Sequence, residues 1–237
     1  MRSDPSLDGG EVRSFRRFWR QEFSAGGGLT TRILSQRLGA IFAYLSSKAG
    51  VSPNLLTMLA TVVSIAGSLL FAFGDSGWKT TSLCVLLYQV AYGFDCADGQ
   101  LARSTGRSSP FGAWLDVCGD LFSLIFMAFA VLYWLESIQA ASGVLLYVGP
   151  FLLCVGRVLV LYSSKFAERL SGENKPAGQS AGVLKSFLWF ILDTPTLLLA
   201  VCLLRDAPVF LVSYLSVMGL LYILNAGYLG VSRLAKA

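Results

Sequence analysis

From Pro53 onward the chain is a close succession of apolar segments, near residues 54–73, 80–98, 110–135, 143–164, 183–204 and 208–230, joined by short connections. A run of about 20 apolar residues is long enough, as a helix, to cross the hydrocarbon core of a bilayer. Lipid offers no hydrogen-bond partner to an exposed peptide group, so spanning segments must satisfy their own backbone and fold as helices. The chain is therefore expected to be an all-α integral membrane protein with six transmembrane helices. The third segment is long enough for marked tilt or for extension beyond the membrane. Only 14% of the 237 residues are charged, against roughly 25% in an ordinary soluble domain. The apolar segments use most of the chain and leave no room for a large soluble domain beside them.

Residues 1–50 are expected to form a cytoplasmic, interfacial segment ahead of a transmembrane domain at 51–232. Within 11–24, Val12, Phe15, Phe18, Trp19 and Phe23 fall on one helical face and Arg13, Arg16, Arg17 and Arg20 on the other. That segregation is the pattern of an amphipathic helix lying in the headgroup layer. Gly26, Gly27 and Gly28 separate it from a second helix over 29–48, whose Ile33, Leu34, Leu38, Ile41, Phe42 and Leu45 recur at helical spacing and place it along the membrane surface as well. No signal peptide is expected, because the first apolar run comes late. With the N-terminus in the cytoplasm, 16 of the 19 Lys and Arg residues lie in cytoplasmic segments; Lys79 and Arg205 lie opposite, and Arg157 falls within a span. The positive-inside rule then predicts a multi-pass cell-membrane protein with both termini cytoplasmic.

The chain has no histidine, which excludes imidazole bases and nucleophiles and His-ligated metals. Acid–base chemistry is left to carboxylates, Lys, Tyr or Cys. The five cysteines are scattered without a CxxC pair and read as small core hydrophobes. A net charge of +5, dispersed along the chain, gives no indication of a nucleic-acid partner.

Four aspartates, Asp95, Asp98, Asp116 and Asp120, sit where one apolar span ends and the next begins. Asp95, Asp98, Gly99 and Ala102 form one helical stripe, and Gly112, Asp116 and Asp120 form another on the following helix. The turn between them makes the two helices antiparallel neighbours whose stripes can face each other, with Ser109 and Pro110 as the cap and first residue of the second. Four converging carboxylates repel one another unless cations compensate them. Two divalent ions do so, and oxygen-only ligation points to Mg²⁺ or Mn²⁺ in a two-metal centre of the kind used for phosphoryl transfer. Gly99, Ala102 and Gly112 would be small so that a phosphate-bearing ligand can approach the backbone, and Arg103 can place its guanidinium on phosphate oxygens. Helix caps or ion pairs explain any one of these acids alone, and an ion or proton pathway is a further reading of the set.

Asp95-Cys-Ala-Asp98-Gly99-Gln-Leu-Ala102-Arg103, followed after eight residues by Gly112-Ala-Trp-Leu-Asp116-Val-Cys-Gly-Asp120, resembles the signature of the CDP-alcohol phosphatidyltransferase family. Every fixed position of that signature is present. Asn54 and Thr57 at the head of the first span support the likeness more loosely, so that it covers roughly residues 50–230. The resemblance implies transfer of a substituted phosphate from a CDP-linked lipid donor, usually CDP-diacylglycerol, to an alcohol acceptor with release of CMP, in phospholipid synthesis. It implies that Asp95, Asp98, Asp116 and Asp120 bind the metals, that Asp120 is also the catalytic base, and that Gly99, Ala102, Arg103 and Gly112 contact the CDP moiety, with Asn54 and Thr57 counted on the same side. It also implies a homodimer.

Arg157 lies about six residues into its span, roughly 9 Å deep at 1.5 Å per residue and level with Asp116. It can serve as a phosphate binder in the same cavity, or pair with Asp193. Asp193, two residues before Pro195, is read as structural, pairing with Arg157 or satisfying backbone donors near the proline. The competing functions are the same chemistry with a CDP-activated polyol donor and, in a different class, an ion-coupled transporter. The signature argues against the transporter, which has no need of Gly, Ala and Arg placed to hold a nucleotide. The acceptor alcohol is not legible.

Overall fold

The computed structural model describes Phe15, Trp19 and residues 30–138, 145–171 and 193–234. A π-helical turn, Thr31–Ser35, runs into α1 (Gln36–Ala49), and α2 (Pro53–Phe73), α3 (Trp78–Thr105), α4 (Pro110–Ser137), α5 (Leu145–Ser171), α6 (Thr194–Leu203) and α7 (Pro208–Leu234) follow, with no strand among the described residues. Among the described residues, three helices are long and apolar enough to cross a membrane: α2, α4 and the Pro208–Tyr228 part of α7. Tyr147–Ser163 of α5 and the whole of α6 are apolar but shorter. α3 has the length, at 28 residues, but Lys79, Asp95, Asp98 and Arg103 dilute its apolar character. The span expected at 183–204 is seen only from Asp193 onward, its earlier part lying outside the described residues.

Helix boundaries follow from local chemistry. Ser52 caps α2 by accepting from the Leu55 amide at 3.3 Å, with Pro53 in the first turn. Gly106, at φ 66, ends α3 in the left-handed conformation that a side chain disfavours. Three residues later Ser109 accepts from the Gly112 amide at 3.0 Å and Pro110 opens α4, as the sequence predicts.

α2 packs along both α3 and α4, whereas α3 and α4 themselves touch little. The two aspartate stripes therefore face each other across a gap that α2 bridges, where the sequence suggested directly packed neighbours. Small residues let the helices approach closely, as in other membrane bundles. A Cβ on Gly119 of α4 would lie 2.5 Å from Thr61 Oγ1 of α2, and one on Gly39 of α1 would lie 2.8 Å from Cys96 Cβ of α3. α5 and α7 form a second close pair, with Gly219 set against the backbone of Leu152 and Leu153. Large apolar side chains such as Val62, Trp114, Phe129, Phe210 and Leu224 are more than half exposed, the outward face of a bundle surrounded by lipid.

The helix over 29–48 is more firmly seated than a surface strip. Ile33, Leu34, Ile41 and Leu45 are exposed, but Ala40 and Ala43 are fully buried with Leu56, Ala97 and Leu101. Of the expected helix at 11–24 only Phe15 and Trp19 are described; Phe15 meets Tyr44 edge-on at 5.5 Å, and the Arg37 guanidinium lies 5.6 Å from the Trp19 ring. The rest of that helix lies outside the described residues.

Arg205, read from the sequence as a loop charge, is fully buried. Its Nε donates to Phe71 O at 3.2 Å, one Nη to Asp75 O at 2.8 Å and the other to Gly74 O. Its guanidinium lies 3.7 Å from the Trp134 ring centroid, and Trp134 Nε1 donates to the Arg205 carbonyl at 3.0 Å. These contacts pin the end of α2 and the connection after it to α4 and the α6–α7 loop.

Candidate active site

The cap at Ser109 sets the phase of α4, and the 3.6-residue period brings Asp116 round to the face opposite Asp95 and Asp98 of α3. One carboxylate oxygen from each of Asp95, Asp98 and Asp116 lies within 4.8 Å of the others. Asp98 is buried and Asp95 and Asp116 are half-buried. Thr57 Oγ1 on α2 donates to Asp98 Oδ2. The sequence counts Thr57 with the nucleotide contacts; its hydroxyl also holds one of the acids.

Three cavities meet at Asp116. The first is lined by Asn54, Thr57, Asp98, Gly99, Ala102, Arg103 and Gly112, so every residue expected on the CDP side except Arg157 surrounds one space. Its glycines sit where space is short. A Cβ on Gly112 would come within 3.1 Å of Asn54 Oδ1, and one on Gly99 would meet the Arg103 guanidinium at 3.0 Å. Arg103 thus folds back over the glycine one turn earlier and presents its charge at the cavity wall.

The second cavity contains Asp95, Asp116, Asp120 and Arg157, with Tyr92 and Ser123, and continues between apolar side chains such as Leu124, Met127 and Leu197. Asp120, one turn beyond Asp116, borders this space and stands outside the set of three mutually close oxygens. Arg157 on α5 lies over the ring of Tyr222 on α7, 5.2 Å from its centroid. The third cavity adds Thr31 and Gln36 of the N-terminal segment to Tyr92, Cys96 and Gln100 of α3.

Sequence reasoning missed Tyr92, Gln100, Thr31 and Gln36. Tyr92 stands three residues before Asp95, so extending the acidic stripe backward by one turn would have found it. Gln100 Nε2 donates to the Gln36 carbonyl at 3.0 Å while its buried Oε1 has no protein partner, which leaves an acceptor beside the third cavity. Nothing local marks Thr31 or Gln36, because their place depends on how α1 docks. Asp193 accepts from the Thr31 amide at 2.8 Å and the Thr31 hydroxyl at 2.6 Å, a structural role with a partner the sequence did not suggest.

The chemistry of this arrangement is that of hard oxygen donors. Three acids brought together at the edge of apolar helices, one of them held by a threonine, fit a small divalent cation, and the Gly99–Arg103–Gly112 wall beside them fits a phosphorylated ligand.

Known proteins resemble the chain in sequence and in fold. The chain is 34% identical over 132 residues to phosphatidylinositol phosphate synthase of Streptomyces avermitilis, covering 54% of this chain and 49% of that protein. It is 29% identical over 133 residues to archaetidylinositol phosphate synthase of Pyrococcus horikoshii, covering 56% of this chain and 62% of that protein. The match thus spans roughly half the length of these curated relatives. The crystal structure of Mycobacterium tuberculosis phosphatidylinositol phosphate synthase with CDP-DAG bound superposes with a TM-score of 0.56 at 22% identity, over 84% of this chain and 92% of that one. The same enzyme in complex with manganese and citrate gives a TM-score of 0.55, over 83% and 87%. The family model for CDP-alcohol phosphatidyltransferases matches residues 50–207, a stretch that holds all four aspartates and the first two cavities, and the chain belongs to that family.

Proposed function

We propose that the protein transfers a phosphatidyl group from CDP-diacylglycerol to an alcohol, releasing CMP, in phospholipid synthesis. The observation that carries this reading is the convergence of Asp95, Asp98 and Asp116 beside a cavity walled by Gly99, Ala102, Arg103 and Gly112. In the reaction the acceptor oxygen bonds to the phosphorus that bears the lipid alcohol, the bond from that phosphorus to the bridging oxygen breaks, and CMP leaves with the electron pair.

Each side chain has a task set by its place. Asn54, Gly99, Ala102 and Gly112 admit the cytidine diphosphate against the backbone, and Arg103 holds phosphate oxygens. Thr57 orients Asp98. Asp95, Asp98 and Asp116, joined by Asp120, would hold Mg²⁺ or Mn²⁺, which when bound neutralises pyrophosphate charge and stabilises the charge that develops on the reacting oxygens. Asp120 takes the acceptor's proton, because it borders the cavity that also contains Arg157. Arg157, held by Tyr222, binds an anionic group of the acceptor. The named relatives make inositol phosphate the first acceptor to test.

The same reading takes the transmembrane domain as residues 51–232 with six spans, residues 1–50 as an interfacial segment, both termini and the site on the cytoplasmic side, and a homodimer as the assembly. Its support is the positive charge of the connecting segments and the family fold. The experiment is incubation of purified protein with CDP-diacylglycerol, Mg²⁺ or Mn²⁺ and a panel of alcohols that includes inositol phosphate, with CMP release and product mass as readouts. No CMP release with any acceptor would refute it.

A further inference from the structure

Asp193 is buried and occupies the N-cap position of α6, yet its carboxylate caps no amide of its own helix. An aspartate at such a position ordinarily accepts from the next turn. Here it reaches across to the N-terminal segment, where the Thr31 amide donates to Oδ2 at 2.8 Å and the Thr31 hydroxyl to Oδ1 at 2.6 Å. The same capping chemistry is thus applied in trans, to the π-helical turn that opens α1. Two further ties converge on this point. The Thr30 and Thr196 hydroxyls meet at 2.8 Å, and Gln89 Nε2 of α3 donates to Pro195 O at 3.3 Å.

The latch ends at the reaction site. Thr31 Oγ1 lies 3.4 Å from the Tyr92 hydroxyl, and Tyr92 borders the cavity that contains Asp95, Asp120 and Arg157. Thr31 and Tyr92 together line the third cavity, which reaches Asp95 and Asp98 and also Gly99 and Arg103, but neither lines the cavity of Asn54 and Gly112. We infer that Asp193 is a positioning residue for the acceptor side of the site, fixing through Thr31 the N-terminal segment and Tyr92 as a wall beside Asp95 and Asp120. The inference rests on the reading of Asp120 and Arg157 as the acceptor side given above.

The test uses the full chain and the variants Asp193→Ala, Asp193→Asn and Thr31→Val. Hydrogen exchange of peptides covering residues 30–36 reports the latch without any substrate. Steady-state kinetics with inositol phosphate, beside binding of CDP-diacylglycerol, report its consequence. Loss of a charge-assisted hydrogen bond should speed exchange and raise the acceptor KM about tenfold in Asp193→Ala, and less in Asp193→Asn, with donor affinity unchanged. Thr31→Val removes one of the two bonds and carries the same test if Asp193→Ala does not fold. Unchanged exchange would overturn the latch, and faster exchange with an unchanged acceptor KM, or with an equal loss of donor affinity, would overturn the positioning role. Absence of transfer by the unaltered protein would instead overturn the proposed function, an outcome the exchange measurement distinguishes because it needs no turnover.

Discussion

The two ends of α2 treat buried charge in opposite ways. Near its start, Asp95, Asp98 and Asp116 crowd within 4.8 Å of one another around open cavities. Beyond its end, Arg205 is enclosed by three backbone carbonyls and the faces of Trp134 and Phe71. A charge wrapped so fully by its own protein has little left to offer a ligand, and its work is to hold elements together. Like charges set around a cavity are unfavourable by themselves and become favourable when a cation completes them. The contrast separates a site from a staple within one membrane bundle.

The largest expected effect breaks the aspartate end alone. Chelation of divalent metal should reduce transfer to background while helical content, read by circular dichroism, persists, because Arg205 and the apolar core do not depend on the metal. Turnover that resists a chelator would end the two-metal reading.

Next in size is Asp120→Asn, which keeps the shape and removes the charge. Loss of a general base costs about 10²- to 10⁴-fold in rate, so kcat should fall by that factor while CDP-diacylglycerol still binds. Near-normal turnover would place the base elsewhere. Arg103→Ala should act on the donor, weakening CDP-diacylglycerol binding about tenfold through loss of a charge-assisted contact. An unchanged donor affinity would remove Arg103 from the nucleotide wall.

The smallest effect on chemistry belongs to the other end. Arg205→Met leaves buried carbonyls without donors and should destabilise the folded bundle by about 2–3 kcal/mol, seen as a lower thermal midpoint in detergent, with kcat in the surviving folded protein unchanged. A loss of turnover without a loss of stability would contradict the division between the two ends.

Much of the acidic end was legible because its information is local. Asp95, Asp98, Gly99, Ala102 and Arg103 belong to one helix, and Ser109 with Pro110 starts the next at a definite residue, so helical periodicity alone put the side chains on common faces. Arg205 was not legible, since a lone arginine between apolar segments looks the same whether it meets water or the last carbonyls of a helix 130 residues earlier. For Asp193 the sequence suggested Arg157 or backbone donors near the proline, whereas its carboxylate bonds Thr31, 162 positions away. Thr57 lines the cavity on the nucleotide side, as its place at the head of α2 suggests, but the bond from its hydroxyl to Asp98 depends on how α2 meets α3.

By itself the sequence determined the apolar helical character, the caps, the phase of each acidic stripe and the kind of chemistry that eight specified positions in 26 residues imply. Only the tertiary structure decided that α2 bridges α3 and α4, that the N-terminal helix lends Thr31 and Gln36 to the site, and that Arg205 closes the opposite end. The physical reason is range. Periodicity and capping act over one or two turns of a single helix. Which helices meet depends on small residues such as Gly39, Gly119 and Gly219 finding complementary surfaces far along the chain, and that matching is settled only when the bundle packs.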